Sequence, residues 1–421
     1  MSSTDKSTYL GDKVNPYRDE YDPELRAHSD KETKELYDIE KNNGGKRSDW
    51  LFQRTRRQVK HPTDEETRGS YGLVRHTRNV PRDLSNRGTV NQKLMSKRAI
   101  SQSIKIVIAH GETAQRAMPG SLPCIFYIHG GNRLGGNQYS GGYLDRAKVW
   151  ANSFRAIVIG VDYRLSPNDL DWNSDLPSDK RNTSPTDEEP TNDCFDALAW
   201  VYNHLGHNSH DEILKYGNPA KLIVFGTSAG AGLAASTVMK WCRGRREGST
   251  RMPGDLYGLV LEAPQLDDRC NTKSHQRFKD GNMFTSRDAR QGWEVSLGDR
   301  RGTTGISIFE APARATKDDV LGFPPTYIEV GGAEPFRDEA VAFGNLLEAA
   351  DVAVETHVWR GGFHGFFAAV PNATISKMCS LTKLRWLGAL LRVPLSKEVE
   401  GEYERVKASY EAKNSKWNIA A

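Results

Sequence analysis

A serine flanked by small residues follows a short run of strand-forming residues. Residues 221–230 read K-L-I-V-F-G-T-S-A-G, and a helix-compatible stretch continues from Ala229. A strand that turns at once into a helix exposes the side chain at the bend, and G-x-S-x-G is the pattern of such a nucleophile elbow. The free N–H groups at the start of the helix favour negative charge there. The stretch therefore predicts that Ser228 is a nucleophile.

A serine hydroxyl is a weak nucleophile and needs a general base. In chains with this elbow, the acid and then the histidine follow the serine. His364 lies downstream in W-R-G-G-F-H-G-F-F, where the glycines suit a loop that reaches over a sheet. His275 and His357 are competing candidates, but the first falls in a polar insertion and the second in a strand pattern. Chain order and loop context favour His364 as the base.

Two carboxylates could orient this histidine, both within Y-I-E-V-G-G-A-E-P-F-R-D-E at 327–339. Glu334 directly follows the glycine turn, from which a carboxylate can reach back over the end of the strand. Asp338 falls at the start of a helix, where an acid is often only a cap. The pattern favours Glu334 as the triad acid and leaves Asp338 as the alternative.

Acyl transfer also needs hydrogen-bond donors for a developing oxyanion. The stretch F-Y-I-H-G-G-N at 126–132 ends a strand on two glycines, so that backbone N–H groups have little side-chain cover. A strand that ends in this way about a hundred residues before an elbow serine is typical of an esterase oxyanion hole. The stretch His129-Gly130-Gly131-Asn132 is therefore expected to supply backbone N–H donors for the oxyanion.

Short apolar runs alternate with helix-like segments from Ile104 onward. Most of the runs are apolar on both faces, as buried parallel strands are. The alternation predicts the α/β class, with a mostly parallel or mixed central sheet flanked by helices on both sides. The predicted strands cover 104–108, 123–129, 156–161, 222–225, 258–262, 326–330 and 354–359, and the predicted helices cover 193–203, 229–243, 338–350 and 374–391.

Two polar insertions interrupt this alternation, one at 168–190 and one at 270–322. Insertions that follow the carboxyl ends of parallel strands surround the ligand site. The second insertion is therefore expected to form a lid. The first 98 residues are also polar, with a basic run at 46–60 that contains Trp50, Leu51 and Phe52. We expect this run to pack on the main domain rather than to bind nucleic acid.

Composition limits the classes of partner. The 58 Lys and Arg residues nearly balance the 54 Asp and Glu residues, so the net charge of +4 gives little reason to expect a polyanionic partner. Five scattered cysteines predict reduced thiols. No secretory signal and no apolar run of membrane-spanning length is visible, so we expect a soluble, cytoplasmic protein without membrane insertion. The spacing of His204, His207 and His210 favours a surface turn over a metal site.

The motifs together resemble the hormone-sensitive-lipase-like branch of the α/β-hydrolases. The resemblance implies a carboxylic ester hydrolase with no metal or other cofactor. It implies the triad Ser228, Glu334 and His364, with an oxyanion hole at Gly131, Asn132 and Ala229 that Gly130 shapes. The matching stretches are H-G-G-N (129–132), V-D-Y-R-L-S-P (161–167), D-C-F-D-A-L-A-W (193–200), G-T-S-A-G (226–230), G-F-P-P-T-Y-I-E-V-G-G-A-E-P-F-R-D-E (322–339) and F-H-G-F (363–366).

The same resemblance implies a division of the chain into core and cap. Residues 99–269 and 323–421 would form the α/β-hydrolase core, and residues 1–98 and 270–322 would contribute to the cap. Two residues depart from the family pattern. Asn132 replaces the usual third glycine, although asparagine tolerates an unusual φ, and Glu334 replaces the usual aspartate.

The expected reaction is hydrolysis of a small-molecule ester with a short acyl chain, or of a lactone, through an acyl-enzyme intermediate. Two other functions on the same fold remain open. The gibberellin receptors resemble this branch but lack the triad histidine, so a catalytically inactive small-molecule receptor is one alternative. A peptidase is the other, disfavoured by the H-G-G strand end. The sequence leaves the physiological substrate open, and it leaves a homodimer as an alternative to a monomer.

Overall fold

The computed structural model describes residues 17–43, 61–82, 103–165, 188–280 and 283–415. The strands in this part of the chain are β1 Leu73–Pro81, β2 Ser103–Gly111, β3 Leu122–Ile128, β4 Ile157–Asp162, β5 Gly217–Thr227, β6 Gly258–Glu262, β7 Thr326–Gly331 and β8 Val354–Trp359. They form one sheet of eight, in the order β1-β2-β4-β3-β5-β6-β7-β8.

The sheet is mixed but mostly parallel. Strand β2 runs antiparallel to both β1 and β4, and the pairs from β4 through β3 to β8 are parallel. Each strand predicted from the sequence is present, within a few residues at its ends. The edge strand β1 was not predicted, because its polar sequence L-V-R-H-T-R-N-V-P is buried mainly near its two ends. Residues 73–81 of the N-terminal segment thus lie in the main sheet.

Helices cover both faces of the sheet. Their bounds are α1 Arg26–Asn43, α2 Asp64–Tyr71, α3 Tyr143–Phe154, α4 Glu189–Asn203, α5 Ala229–Arg246, α6 Lys273–Arg277, α7 Ser286–Leu297, α8 Arg337–Ala349, α9 Phe366–Ala369, α10 Thr374–Leu391 and α11 Lys397–Ser415. Helices α4, α5 and α8 bury apolar side chains on one face, and α3 and α10 do so on the other. The central strands are therefore buried on both sides, which confirms the predicted α/β architecture.

The insertion between β6 and β7 carries α6 and α7, where the sequence showed only weak helical signals. Its large apolar side chains point inward, and Phe278, Met283 and Trp293 are all buried. Helix α7 begins with a capping box between Thr285 and Asp288, which satisfies backbone N–H groups at its start. The insertion is thus an ordered layer over the carboxyl ends of the strands.

The N-terminal residues 17–43 pack near the same edge. Tyr21 and Leu25 are buried, the Tyr21 ring meets the Phe363 ring at a centroid distance of 5.4 Å, and Arg277 donates to Glu20. The predicted packing of Trp50, Leu51 and Phe52, and most of the 168–190 loop, lie outside the described residues. Among the helices that the structure describes, none has the length and apolar character needed to cross a membrane.

Candidate active site

The turn between β5 and α5 holds Ser228 in a backbone conformation that is rare for a residue with a side chain, with φ 58° and ψ −122°. Two glycines make this turn sterically feasible. A Cβ at Gly226 would lie 2.3 Å from the Gly230 carbonyl oxygen, and a Cβ at Gly230 would lie 2.2 Å from the His129 carbonyl oxygen. The Ser228 N–H donates to the Glu262 carbonyl at 2.8 Å. The elbow is therefore sharp and anchored to β6.

The Ser228 hydroxyl meets the imidazole of His364. The distance from Oγ to Nε2 is 2.9 Å, and the His364 loop lies between β8 and α9. Two phenylalanines flank the ring, Phe284 at a centroid distance of 4.6 Å and Phe336 at 5.1 Å, nearly perpendicular to it. Phe284 comes from the insertion and Phe336 from the turn after β7. Both limit the positions that the imidazole can take.

The carboxylate of Glu334 completes the chain of hydrogen bonds. Its Oε2 accepts a hydrogen bond from His364 Nδ1, and its Oε1 accepts one from the Gly331 N–H at 2.6 Å. The Glu334 side chain is 1% exposed. The network assigns the proton of the imidazole to Nδ1, which leaves Nε2 free to accept from Ser228.

The competing candidates for the acid and the base have other hydrogen-bond partners. Asp338 accepts from the Ser274 N–H at 2.7 Å and from Arg337 at 2.8 Å. His275 pairs with Ser286 and Glu339, and His357 pairs with Glu355. The structure thus brings together Ser228, Glu334 and His364, and it gives the alternatives other partners.

The segment between β3 and α3, residues 129–142, carries the predicted oxyanion donors and is called the oxyanion loop below. It lies directly against Ser228. A Cβ at Gly130 would be 3.0 Å from the Ser228 Cβ, and one at Gly131 would be 2.0 Å from the Gly135 carbonyl oxygen. Asn132 takes a φ of 53°, as its residue type allows. No hydrogen bond among the described residues uses the N–H groups of Gly131 and Asn132. These donors are available beside the serine hydroxyl, and Ala229 opens α5 on its other side.

His129 supports this loop from below. Its ring stacks on Tyr163 at a centroid distance of 4.3 Å, and its Nδ1 donates to the Gly130 carbonyl at 2.7 Å. Burial lowers the pKa of His129 to about 4. The ring is therefore neutral at physiological pH, which suits a packing role under the loop.

Sequence reasoning missed a buried network of charges behind the elbow. The Thr227 hydroxyl, next to the nucleophile, donates to Glu262 at 2.9 Å. Arg146 donates to both oxygens of the same carboxylate, at 3.0 and 2.7 Å. Lys383 of α10 donates to Glu262 and also to Glu329 of β7. Ion pairs thus join β6 to α3 and α10, and β7 to α10.

Burial and charge act in opposite directions in this network. Burial alone would raise the pKa of Glu262, but Arg146 and Lys383 lower it to about 2. Burial raises the pKa of Glu329, and the charge of Lys383 opposes this rise. Lys383 is therefore the charge that most favours the ionised form of Glu329. No sequence signal identified the network, because its members are far apart in the chain.

The histidines at 204–210 stand apart from this site. The His204 ring stacks on Trp200, and its Nδ1 donates to the Trp200 carbonyl at 2.8 Å. In the part of the chain that the structure describes, no group of three or more His, Cys, Asp or Glu side chains could hold a metal ion.

Comparison with known proteins identifies the family. Residues 185–368 match a family model described as the alpha/beta hydrolase fold. This match and the carboxylesterase relatives support the hormone-sensitive-lipase-like branch of the α/β-hydrolases. This α/β-hydrolase is 27% identical over 258 residues to 3-O-acetylpapaveroxine carboxylesterase of Papaver somniferum, covering 59% of this chain and 73% of the relative. It is 28% identical over 264 residues to a Mycobacterium tuberculosis carboxylesterase, covering 60% and 70%.

Solved structures agree with this assignment. A bacterial heroin esterase superposes with a TM-score of 0.61 at 25% identity, covering 90% of this chain and 99% of the esterase. A carboxyl esterase from the fungus Tuber melanosporum superposes with the same TM-score at 19% identity, covering 89% and 99%, which supports the fold alone. The predicted family, fold and enzyme class, a carboxylic ester hydrolase, are confirmed.

Proposed function

We propose that this α/β-hydrolase cleaves its esters through a triad of Ser228, His364 and Glu334. The observation that carries the proposal is the continuous chain of hydrogen bonds from the Ser228 hydroxyl through His364 to Glu334. A serine, a base within hydrogen-bond reach and a third group that orients the base are the requirements of nucleophilic catalysis.

In this mechanism, Ser228 Oγ attacks the ester carbonyl carbon while His364 Nε2 takes the hydroxyl proton. The N–H groups of Gly131, Asn132 and Ala229 stabilise the oxyanion, with Gly130 leaving room for it. Collapse of the tetrahedral intermediate breaks the C–O bond, and His364 gives its proton to the leaving alcohol. A water molecule then repeats the sequence on the acyl-enzyme and releases the acid. Glu334 holds the Nδ1–H tautomer and stabilises the imidazolium.

We further propose substrates with a short acyl chain, or lactones, in which alcohol and acid stay joined after ring opening. A lipase for long chains needs a broad exposed apolar surface. Several large apolar residues of the insertion are instead buried, including Phe278, Met283 and Trp293. Among the described residues, the exposed large apolar side chains are scattered ones: Met118, Val149, Leu321 and Val358. The name of the Papaver somniferum relative, 3-O-acetylpapaveroxine carboxylesterase, also refers to an O-acetylated compound.

A panel of chromogenic esters tests the proposal. We expect kcat/KM to be higher for a butyrate than for a palmitate ester, and Ser228→Ala to abolish turnover of both while the protein stays folded. A lactone series with the same variant examines ring opening. Tight ligand binding without any turnover by the unmodified protein would favour the receptor alternative, and a preference for palmitate would refute the short-acyl assignment.

A further inference from the structure

The side chain of Asn132 is the feature that separates this oxyanion loop from one with a third glycine. It is buried, with 3% exposed. Its Nδ2 donates to the Asp288 carbonyl in α7 at 2.8 Å, and its Oδ1 accepts from Gln265 Nε2 at 3.0 Å. Both ends of the amide are thus satisfied, one by the insertion and one by the core.

Gln265 connects this amide to the nucleophile. It is fully buried in the segment that follows β6, and its backbone N–H donates to the Ser228 carbonyl at 3.1 Å. A Cβ at Gly232, in the first turn of α5, would lie 2.1 Å from the Gln265 carbonyl oxygen. Gln265 is therefore packed tightly against α5, and it is hydrogen-bonded to both Ser228 and Asn132.

Helix α7 packs closely against the oxyanion loop. A Cβ at Gly292 would be 2.2 Å from Asn132 Oδ1, so a glycine is needed where α7 meets the amide. The neighbouring Arg133 lies over the Trp293 ring at 4.2 Å and donates to the Glu310 carbonyl at 3.1 Å. The insertion thus contacts two consecutive residues of the oxyanion loop, Asn132 and Arg133.

We propose that the Asn132 side chain, held by Gln265, couples the position of helix α7 to the alignment of the oxyanion donors, and that Gln265 is a positioning residue. The inference rests on the proposed function, because it assigns a role within that site. Asn132 has a positive φ, and its own N–H is one of the proposed donors. When the amide is anchored, that N–H has a fixed direction, and a shift of α7 changes the direction.

The coupling predicts a specific kinetic signature. Oxyanion donors act on charge that develops in the transition state, so misalignment lowers kcat and leaves KM nearly unchanged. Loss of one complete donor costs about 10² to 10³ in kcat. Since misalignment is a smaller change than loss, we expect Asn132→Gly to lower kcat by about tenfold to a hundredfold. Glycine tolerates the positive φ and keeps the N–H, so the variant removes the anchor alone.

Gln265→Met provides a second, independent variant of similar length without the hydrogen bond. It should also lower kcat. The double variant should be no slower than the slower single variant, because both substitutions remove the hydrogen bond between Gln265 and Asn132. The affinity of a trifluoromethyl ketone, which forms a tetrahedral adduct with serine, should fall by about the same factor as kcat/KM. Thermal unfolding of each variant verifies that it is folded.

Gln138→Leu is the matched control. Gln138 is a buried amide on the same loop, and no hydrogen bond among the described residues joins it to Asn132 or α7. It should leave kcat unchanged. An active wild-type enzyme with unchanged kcat in Asn132→Gly and in Gln265→Met would overturn the coupling, as would a rise in KM at constant kcat. Turnover by Ser228→Ala would instead overturn the proposed function.

Discussion

Replacement of Lys383 by methionine tests the buried charge network behind the elbow. The ammonium group lies between Glu262 and Glu329, and all three side chains are buried. Glu262 keeps Arg146 after the change. Among the described residues, Glu329 then keeps neutral side-chain donors, Tyr327 at 3.1 Å, Trp359 at 3.4 Å and Cys379 at 3.2 Å, and the charge of Arg146 without a hydrogen bond to it. We therefore expect Glu329 of the Lys383→Met variant to take up a proton in the folded state.

The free-energy cost of keeping Glu329 protonated in the folded state sets the expected loss of stability. An unfolded glutamate titrates near pH ~4.3, and each pH unit above this value costs about 1.36 kcal/mol when the folded state must stay protonated. This amounts to about 1 kcal/mol at pH 5 and about 5 kcal/mol at pH 8. The neutral donors stabilise some ionised Glu329 and reduce the larger value. Breaking a buried pair typically costs about 3 to 5 kcal/mol, so we expect a loss in that range at pH 8.

The sign follows from the proton count. A carboxyl group whose pKa is higher in the folded than in the unfolded state binds more protons when folded, so stability falls as the pH rises between the two values. Urea unfolding of wild type and Lys383→Met at pH 5, 6, 7 and 8 measures this slope. Lys377→Met, at a partly exposed position of the same helix, controls for the loss of a lysine from α10.

The double variant Lys383→Met/Glu329→Gln identifies the responsible carboxylate. It should recover much of the lost stability at pH 8 and lose the added pH dependence, because no uncompensated charge remains. If Lys383→Met instead lost the same free energy at pH 5 and at pH 8, the argument that Glu329 depends on Lys383 would be wrong. A loss below about 1 kcal/mol at pH 8 would contradict it as well.

Two further predictions concern the proposed triad and the N-terminal segment. Glu334→Gln should lower kcat by on the order of 10² or more with the fold intact, because the imidazole can then take the wrong tautomer. Asp338→Asn should mainly lower stability, by roughly 1 kcal/mol, and loss of turnover in that variant alone would contradict the assignment. Removal of residues 1–70 should strongly lower activity and leave the core folded, as judged by circular dichroism. Full activity after this truncation would show that the segment is dispensable.

Features fixed by local sequence were predictable. A strand that is apolar on both faces is recognisable from four or five residues, and each expected strand is present in the sheet. The elbow is equally local, since Gly226 and Gly230 are needed within two residues of Ser228. Chain order then placed His364 and Glu334 downstream, and in the structure His364 contacts Ser228 and Glu334 contacts His364. That these three residues perform catalysis stays a prediction until the variants are measured.

Features that depend on a distant partner were not predictable. In G-L-V-L-E and T-Y-I-E-V, the glutamates of β6 and β7 look like polar residues at the ends or edges of strands, whereas both are buried. Their burial is tolerable only because Lys383 reaches them from α10, and nothing in the sequence around that lysine separates it from a surface residue. Charge pairs of this kind become visible only when the fold brings the elements together.

Asn132 illustrates the same limit within the site itself. The sequence indicates only that Asn132 replaces the usual third glycine and that its N–H suffices for the oxyanion hole, so no role is expected for its side chain. In the structure the side chain has partners in two elements, Gln265 after β6 and Asp288 in α7, more than 130 residues away. A substitution that looked neutral at the level of the motif is therefore the point where the insertion contacts the oxyanion loop. Under the proposed coupling, a change in the insertion of this chain would alter catalysis through this contact without any change in the proposed triad.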